Sequence, residues 1–274
     1  LATTVFFIGW ELRQPRPLLD LAIFRHKEFL AGSIVMLLFG GAFYGVMYLL
    51  PQFMDAILHF SPITSGVLFT PSTLVLAVLV PLVGRFSDRM APHWLTLPGL
   101  AFAIWAVCRM AQADWNTSFA SLALSMALLS VGMAAVPPPT LSRSIAALPP
   151  RLIGYGSGAI NFALQLGGAF GTVTLVAMLD RRTLAHSDHL TAGLNPGNDM
   201  ARRALSHLGE VLGRTGVDAT HRRAAAEHVL SGIDRIWATI YAYQDGFLMV
   251  ATALVAVCLP SFLLSRWGAR AADR

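Results

Sequence analysis

Residues 63–84 read ITSGVLFTPSTLVLAVLVPLVG, and residues 85–89 read RFSDR. The first stretch has no charged side chain, and the second has three in five positions. A hydrocarbon core about 30 Å thick needs about 20 apolar residues of helix to cross it. The apolar stretch therefore reads as a membrane span, and the charges after it mark its exit into water. The same reading applies to residues 30–53, 94–113, 119–137, 155–179 and 243–265. The sequence thus predicts an all-α, polytopic transmembrane helix bundle with six complete spans. Residues 1–10 are too short to cross and read as the end of a preceding transmembrane helix.

Composition agrees. Hydrophobic residues make up 55% of the chain and charged residues 13%, against about 25% charged in soluble domains. No charged segment followed by a small-residue cleavage site opens the chain, so no signal peptide is read. Cys108 and Cys258 both fall inside spans and read as small apolar packing residues, not a disulfide. The net charge of +5 does not point to nucleic acid. Basic residues at membrane borders account for it.

Those basic residues alternate. The segment 11–29 carries Arg13, Arg16, Arg25 and Lys27, and 54–62 carries none. The segment 85–93 carries Arg85 and Arg89, and 114–118 carries none. Arg143 and Arg151 lie in 138–154, and Arg266, Arg270 and Arg274 lie in the tail 266–274. Short cytoplasmic loops collect Lys and Arg, whereas long loops are largely exempt. The cationic segments and the C-terminus are therefore expected in the cytoplasm. Residues 180–242 are expected outside, as an extracellular or periplasmic loop.

That loop contains two amphipathic stretches. Asp199 can cap a helix with Met200, Ala204, Leu205, Leu208, Val211 and Leu212 on one face. Asp218 can cap a second through Ala225, Val229 and Ile233, close to the last span. Their apolar faces can dock on the spans, on the lipid bilayer surface or on another protein. His186, Asp188, His189, His207, His221 and His228 also lie here, without the spacing of a metal site. No metal and no cofactor is predicted.

No Asp or Glu lies well inside a span; Asp55, Asp114, Asp180 and Asp245 sit at the ends. Coupling to protons usually uses a titratable group near the midplane, so the sequence places no such carboxylate in this chain. Polar residues do recur at helical spacing. Gly41, Tyr44, Tyr48 and Gln52 form one stripe, and Gly158, Asn161, Gln165, Gly168 and Thr172 form another. Buried amides in lipid need partners or water, so these stripes either bond between helices or line a cavity. Gly154-x-x-x-Gly158 and Gly167-x-x-x-Gly171 let backbones approach closely. Arg109 is the one charge read as intramembrane, about 22 Å along its helix from Trp94. It either snorkels to the outer surface or makes an anionic or gating contact. Gly84, Arg85, Asp88 and Arg89 can form a tight turn with a charge cluster, a latch between helix ends or a structural turn.

Gly84-x-x-x-Asp88-Arg89 resembles the inner-loop signature of the major facilitator superfamily. Tyr48-Leu49-Leu50-Pro51-Gln52-Phe53, Phe60-Ser61-Pro62, Gly66, Pro71 and Pro81 resemble the second half of its fourteen-span drug:proton antiporters of the EmrB/QacA type. Leu148-Pro149-Pro150-Arg151, Gly156-Ser157-Gly158, Asn161, Gln165-Leu166-Gly167-Gly168, Gly171 and Asp245-x-Phe247 extend the likeness over essentially the whole chain. Two positions depart from it. The signature continues as Met90-Ala91-Pro92-His93 where glycine and basic residues are usual, and Leu164 stands where many relatives carry arginine.

The resemblance implies that residues 1–10 end an eighth span, 11–29 link it to the next bundle, and the six spans are the ninth to fourteenth. It implies two inverted three-helix repeats, with a missing N-terminal half as partner. It further implies proton-driven efflux of small hydrophobic or amphipathic compounds by alternating access, in a cell inner membrane. In some members a periplasmic adaptor assists. Tyr44, Tyr48, Gln52, Asn161 and Gln165 are the expected cavity residues. The alternative is a non-transporting membrane protein: a truncated product, a sensor or a scaffold. No nucleophile–base pair, His-Glu-x-x-His or phosphate loop appears, so no enzyme is predicted.

Overall fold

The computed structural model describes residues 21–87, 93–192, 199–214 and 221–272. A short 3-10 turn, Leu21–Arg25, leads into α1 (Lys27–Ala56), followed by α2 (Pro62–Ser87) and α3 (His93–Met110). Helices α4 (Phe119–Ala135) and α5 (Pro137–Ala146) come next. After a second 3-10 turn, Pro150–Leu152, the chain runs through α6 (Ile153–Ala192), α7 (Asp199–Arg214) and α8 (Arg222–Ala272). Among the described residues there is no strand.

Local chemistry sets the breaks. His59 takes a φ of 53°, the left-handed region, and turns the chain after α1. Ser61 accepts from Thr64 N at 3.2 Å, and Pro62 opens α2, where its missing N–H costs nothing. Ser118 caps α4 by accepting from Ser121 N. Asp114 Oδ1 accepts from Asn116 N and from the Thr117 hydroxyl, closing the turn between α3 and α4.

Among the described residues, five segments are long and apolar enough to cross a membrane: Lys27–Ala56, Pro62–Ser87, Phe119–Ala146, Pro150–Asp188 and Ala224–Leu264. The third predicted span is the exception. Helix α3 stops at Met110 after 18 residues, and His93 and Arg109 near its ends dilute its apolar character. The fourth predicted span runs further than expected. Pro137, Pro138 and Pro139 do not end it but start α5 at its first turn, where proline is tolerated. Residues 138–146, expected in a cytoplasmic segment, are therefore helical. Thr140 and Ser144 donate their hydroxyls to Val136 O and Thr140 O, both at 2.7 Å.

The predicted loop 180–242 is mostly continuation of spans. Helix α6 is 40 residues long and α8 is 51, about 60 Å and about 75 Å of helix. Both exceed a bilayer core by far. The stretch expected to form a separate second helix is the first part of α8, and α7 packs against it. One end of the bundle is thus drawn out into a helical extension. Trp115, Trp237 and Tyr241 stack in a row at its base, with centroids 4.7 Å and 5.8 Å apart. Aromatic rings of this kind favour the level of the lipid headgroups.

Helix α1 is the centre of the bundle, packed on α6 and α8; α4 packs on α2 and α3 in the same way, and α3 meets α8. Exchanging α1, α2 and α3 with α4, α6 and α8 maps these pairings onto one another, whereas the close packing of α6 on α8 has no comparable counterpart between α2 and α3. Phe39, Leu49, Phe53, Leu100, Leu122 and Phe247 belong to one core. Ile23, Phe29, Met36, Leu148, Leu152 and Ile160 form a second, at the end opposite the extension. Helices α2 and α6 keep large apolar faces open: Leu74 is 64% exposed and Val173 is 68% exposed.

Candidate substrate cavity

The crossing of α1 and α6 builds the site. Helix α1 brings Gly40, Gly41 and Gly45 to it, and α6 brings Gly167, Gly168 and Gly171. A Cβ on Gly167 would fall on the Leu37 carbonyl oxygen, and one on Gly40 on the Leu164 carbonyl. A Cβ on Gly171 would strike the Gly41 backbone. The two helices therefore touch through their main chains, which only glycine permits.

Close approach sets the Tyr44 ring against Gly168, whose missing Cβ would stand 2.5 Å from the ring carbon Cδ2. Beside the ring lies a cavity of about 260 Å³, lined by Tyr44, Gln165, Gly168, Ala169 and Thr172. The lining offers a phenol, an amide and a hydroxyl, and no charged group. Such a recess suits an uncharged or charge-delocalised amphipathic molecule. A ring face stacks on its apolar part, and two polar groups orient it.

Two of the five expected cavity residues, Tyr44 and Gln165, meet here. The others do not line this recess. Asn161 donates its amide to Ser157 O of its own helix at 3.0 Å. Gln52 is exposed near the end of α1. Tyr48 stands near Tyr243. Leu164, at the position of a familiar arginine, packs against the apolar core. Of the expected latch, Gly84 has open space where a side chain would go and Arg85 is exposed in the last turn of α2. Asp88 and Arg89 lie outside the described residues. Arg109 occupies the last turn of α3 and is exposed; its guanidinium donates to Ser121 Oγ at 3.1 Å. It thus stands at a helix end, where a cation faces the negative end of the dipole.

Three cross-helix contacts carry polar chemistry that residue spacing did not reveal. Arg143 Nε pairs with Glu28 Oε2 at 3.4 Å, tying α5 to the start of α1. At the extended end, His186 of α6 meets Asp245 of α8 at 2.9 Å, and Arg182 Nη1 reaches the same oxygen at 3.6 Å. Gln244 donates to Ala113 O at 3.0 Å. Partners 59 or 131 residues apart leave no local pattern. Among the described residues no group of three or more His, Cys, Asp or Glu could hold a metal ion.

The chain is thus an all-α bundle of membrane-length helices with an uncharged recess at the α1–α6 crossing. The chain belongs to the major facilitator superfamily, whose model matches residues 5–172. It is similar to the multidrug export protein EmrB of Escherichia coli K12, at 28% identity over 94% of this chain and 50% of that protein. It is also similar to the tetracenomycin C resistance and export protein of Streptomyces glaucescens, at 28% identity over 66% of this chain and 34% of the relative. The chain spans about half the length, or less, of these relatives. The solved structure of a bacterial homologue of the human lysosomal transporter Spinster, inward-facing and occupied, shares the fold. Its TM-score is 0.62 at 17% identity, over 88% of this chain and 49% of that one.

Proposed function

We propose that this chain is the C-terminal half of an inner-membrane multidrug exporter. It moves hydrophobic or amphipathic compounds outward by alternating access, driven by protons. The observation that carries the reading is the uncharged recess of Tyr44, Gln165 and Thr172, on a glycine crossing that brings α1 and α6 into backbone contact. The relatives' names, EmrB and a tetracenomycin C export protein, point to the same class of cargo. The exposed apolar faces of α2 and α6 support an N-terminal half packed there, with the recess enclosed between the halves. The charge alternation along the sequence supports an extension facing the periplasm and a cytoplasmic C-terminus. Helices α6, α7 and α8 then offer a periplasmic adaptor its surface, including the exposed Val211, Ile233 and Ile236.

The test is efflux of a fluorescent amphipathic dye from cells expressing the full-length transporter. Tyr44→Ala and Gln165→Leu are expected to reduce efflux about tenfold at equal membrane abundance, the effect of losing about 1.4 kcal/mol of binding. A protonophore is expected to abolish it. Efflux unchanged in both variants would sink the cavity assignment.

A further inference from the structure

We propose that Arg182, His186 and Asp245 form an external protonation site that fastens α6 to α8 in acid. That the site faces outside, and any use of it in transport, rests on the export reading above; the protonation itself does not. The imidazole Nε2 lies 2.9 Å from Asp245 Oδ2, and the Arg182 guanidinium lies 3.6 Å from the same oxygen. The His186 and Asp245 side chains are 28% and 27% exposed, so water reaches them without surrounding them. The Tyr241 ring stands 5.7 Å from the imidazole, and Trp237 and Trp115 continue the row of rings behind it. The imidazole is thus packed on one side, held by a carboxylate on another, and open to solvent.

The charge balance makes this cluster sensitive to a proton. With a neutral imidazole, Arg182 and Asp245 balance, and the Nε2–H donates to a carboxylate that already carries charge. A proton from the surrounding water adds a second cation against one anion and turns that bond into a salt bridge in which both partners are charged. Among the described residues of the elements packed beside it, the charged groups are engaged elsewhere or exposed, save Asp234 of α8, which is half-buried with one carboxylate oxygen lacking a hydrogen-bond partner. On α1, Tyr48 and Asp55 act on Tyr243. Arg109 and Asp114, at and just beyond the end of α3, are hydrogen-bonded to Ser121 and Thr117. On α7, Arg203, His207 and Glu210 are exposed, as are Asp180 and Arg181 on α6. Because α6 carries both Gln165 of the cavity and His186 of this cluster, a proton at one end bears on the helix that lines the other.

The experiment is a double-mutant cycle on the melting temperature of the full-length transporter in detergent. It compares the native protein, His186→Gln, Asp245→Asn and the double variant at about pH 5.5 and about pH 8, the span over which imidazoles can change charge. The expected result is a coupling at the acid pH that is partly lost at the alkaline one, where the imidazole no longer carries charge. Equal coupling at both, or none at either, would overturn the site. Arg182→Gln provides a second variant at a half-exposed position. Removing the competing cation should strengthen the acid coupling, and an unchanged value would remove Arg182 from the cluster. If His186→Gln does not fold, the melting temperature of Asp245→Asn, which removes the carboxylate that holds the imidazole, decides across the same pH range. A response to pH identical to the native one overturns the proposal. Dye efflux separates the two readings. No efflux by the native protein strikes the export reading and leaves the protonation site standing. Full efflux by His186→Gln, with the coupling lost, strikes only its part in transport.

Discussion

At the scale of single residues, the glycines of α1 and α6 divide by what surrounds them. Gly167 faces the Leu37 main chain, which cannot step aside, while Gly158 faces open space. Gly167→Ala is expected to cost about 1–3 kcal/mol by overpacking, read as a lower melting temperature in detergent. Gly158→Ala should be neutral or slightly stabilising, since helical alanine outranks glycine. An equal loss in both would mean that the α1–α6 crossing is not the close contact described. Gly168 differs again, because its neighbour is the Tyr44 ring, a side chain that can move. Gly168→Ala should therefore alter dye efflux more than it alters stability, and a large loss of stability without change in efflux would argue against the ring as a cavity wall.

At the scale of helices, the Arg143–Glu28 pair holds the end of α5 against the beginning of α1, with side chains 27% and 17% exposed. Beside it Gly32 lies under Ser144, and Phe29 packs into the second core. Removing one partner of a largely buried pair leaves the other uncompensated. Glu28→Gln is expected to destabilise by about 1–3 kcal/mol. Adding Arg143→Gln should recover part of that loss in thermal unfolding. A double variant as unstable as the sum of the singles would mean that the two side chains do not interact. The break between α4 and α5 follows from three consecutive prolines, whose missing N–H groups suit the first turn of a new helix and not the middle of an old one.

At the scale of the whole molecule, the orientation proposed from the charge pattern is one that labelling can read. With Cys108 and Cys258 replaced, Arg203→Cys on α7 should react with a membrane-impermeant maleimide added outside intact cells. Arg85→Cys at the end of α2 should react only after lysis. The reverse pattern would invert the topology. The apolar faces of α2 and α6 make a second statement at this scale: cysteines at Leu74 and Val173 should cross-link to a preceding half and be shielded from labelling in the full-length protein.

The all-α bundle of apolar, membrane-length helices and the glycine-rich character of α6 were legible in the sequence, because lipid imposes length and apolarity residue by residue. Tyr44 and Gln165 were legible as members of polar stripes, because helical periodicity is a local property. Their meeting in one recess was not, since it depends on which faces α1 and α6 turn toward each other. Asn161 had the right spacing and bonds its own helix instead. The reach of α6 and α8 beyond the bilayer was hidden because polar helix and polar loop have similar composition. Glu28 with Arg143, and His186 with Asp245, are pairs that only tertiary structure decides. Sequence by itself determined the solvent and the element lengths through forces acting along the chain. Packing determined the partners, because distance in space between residues far apart in sequence is a property of the fold alone.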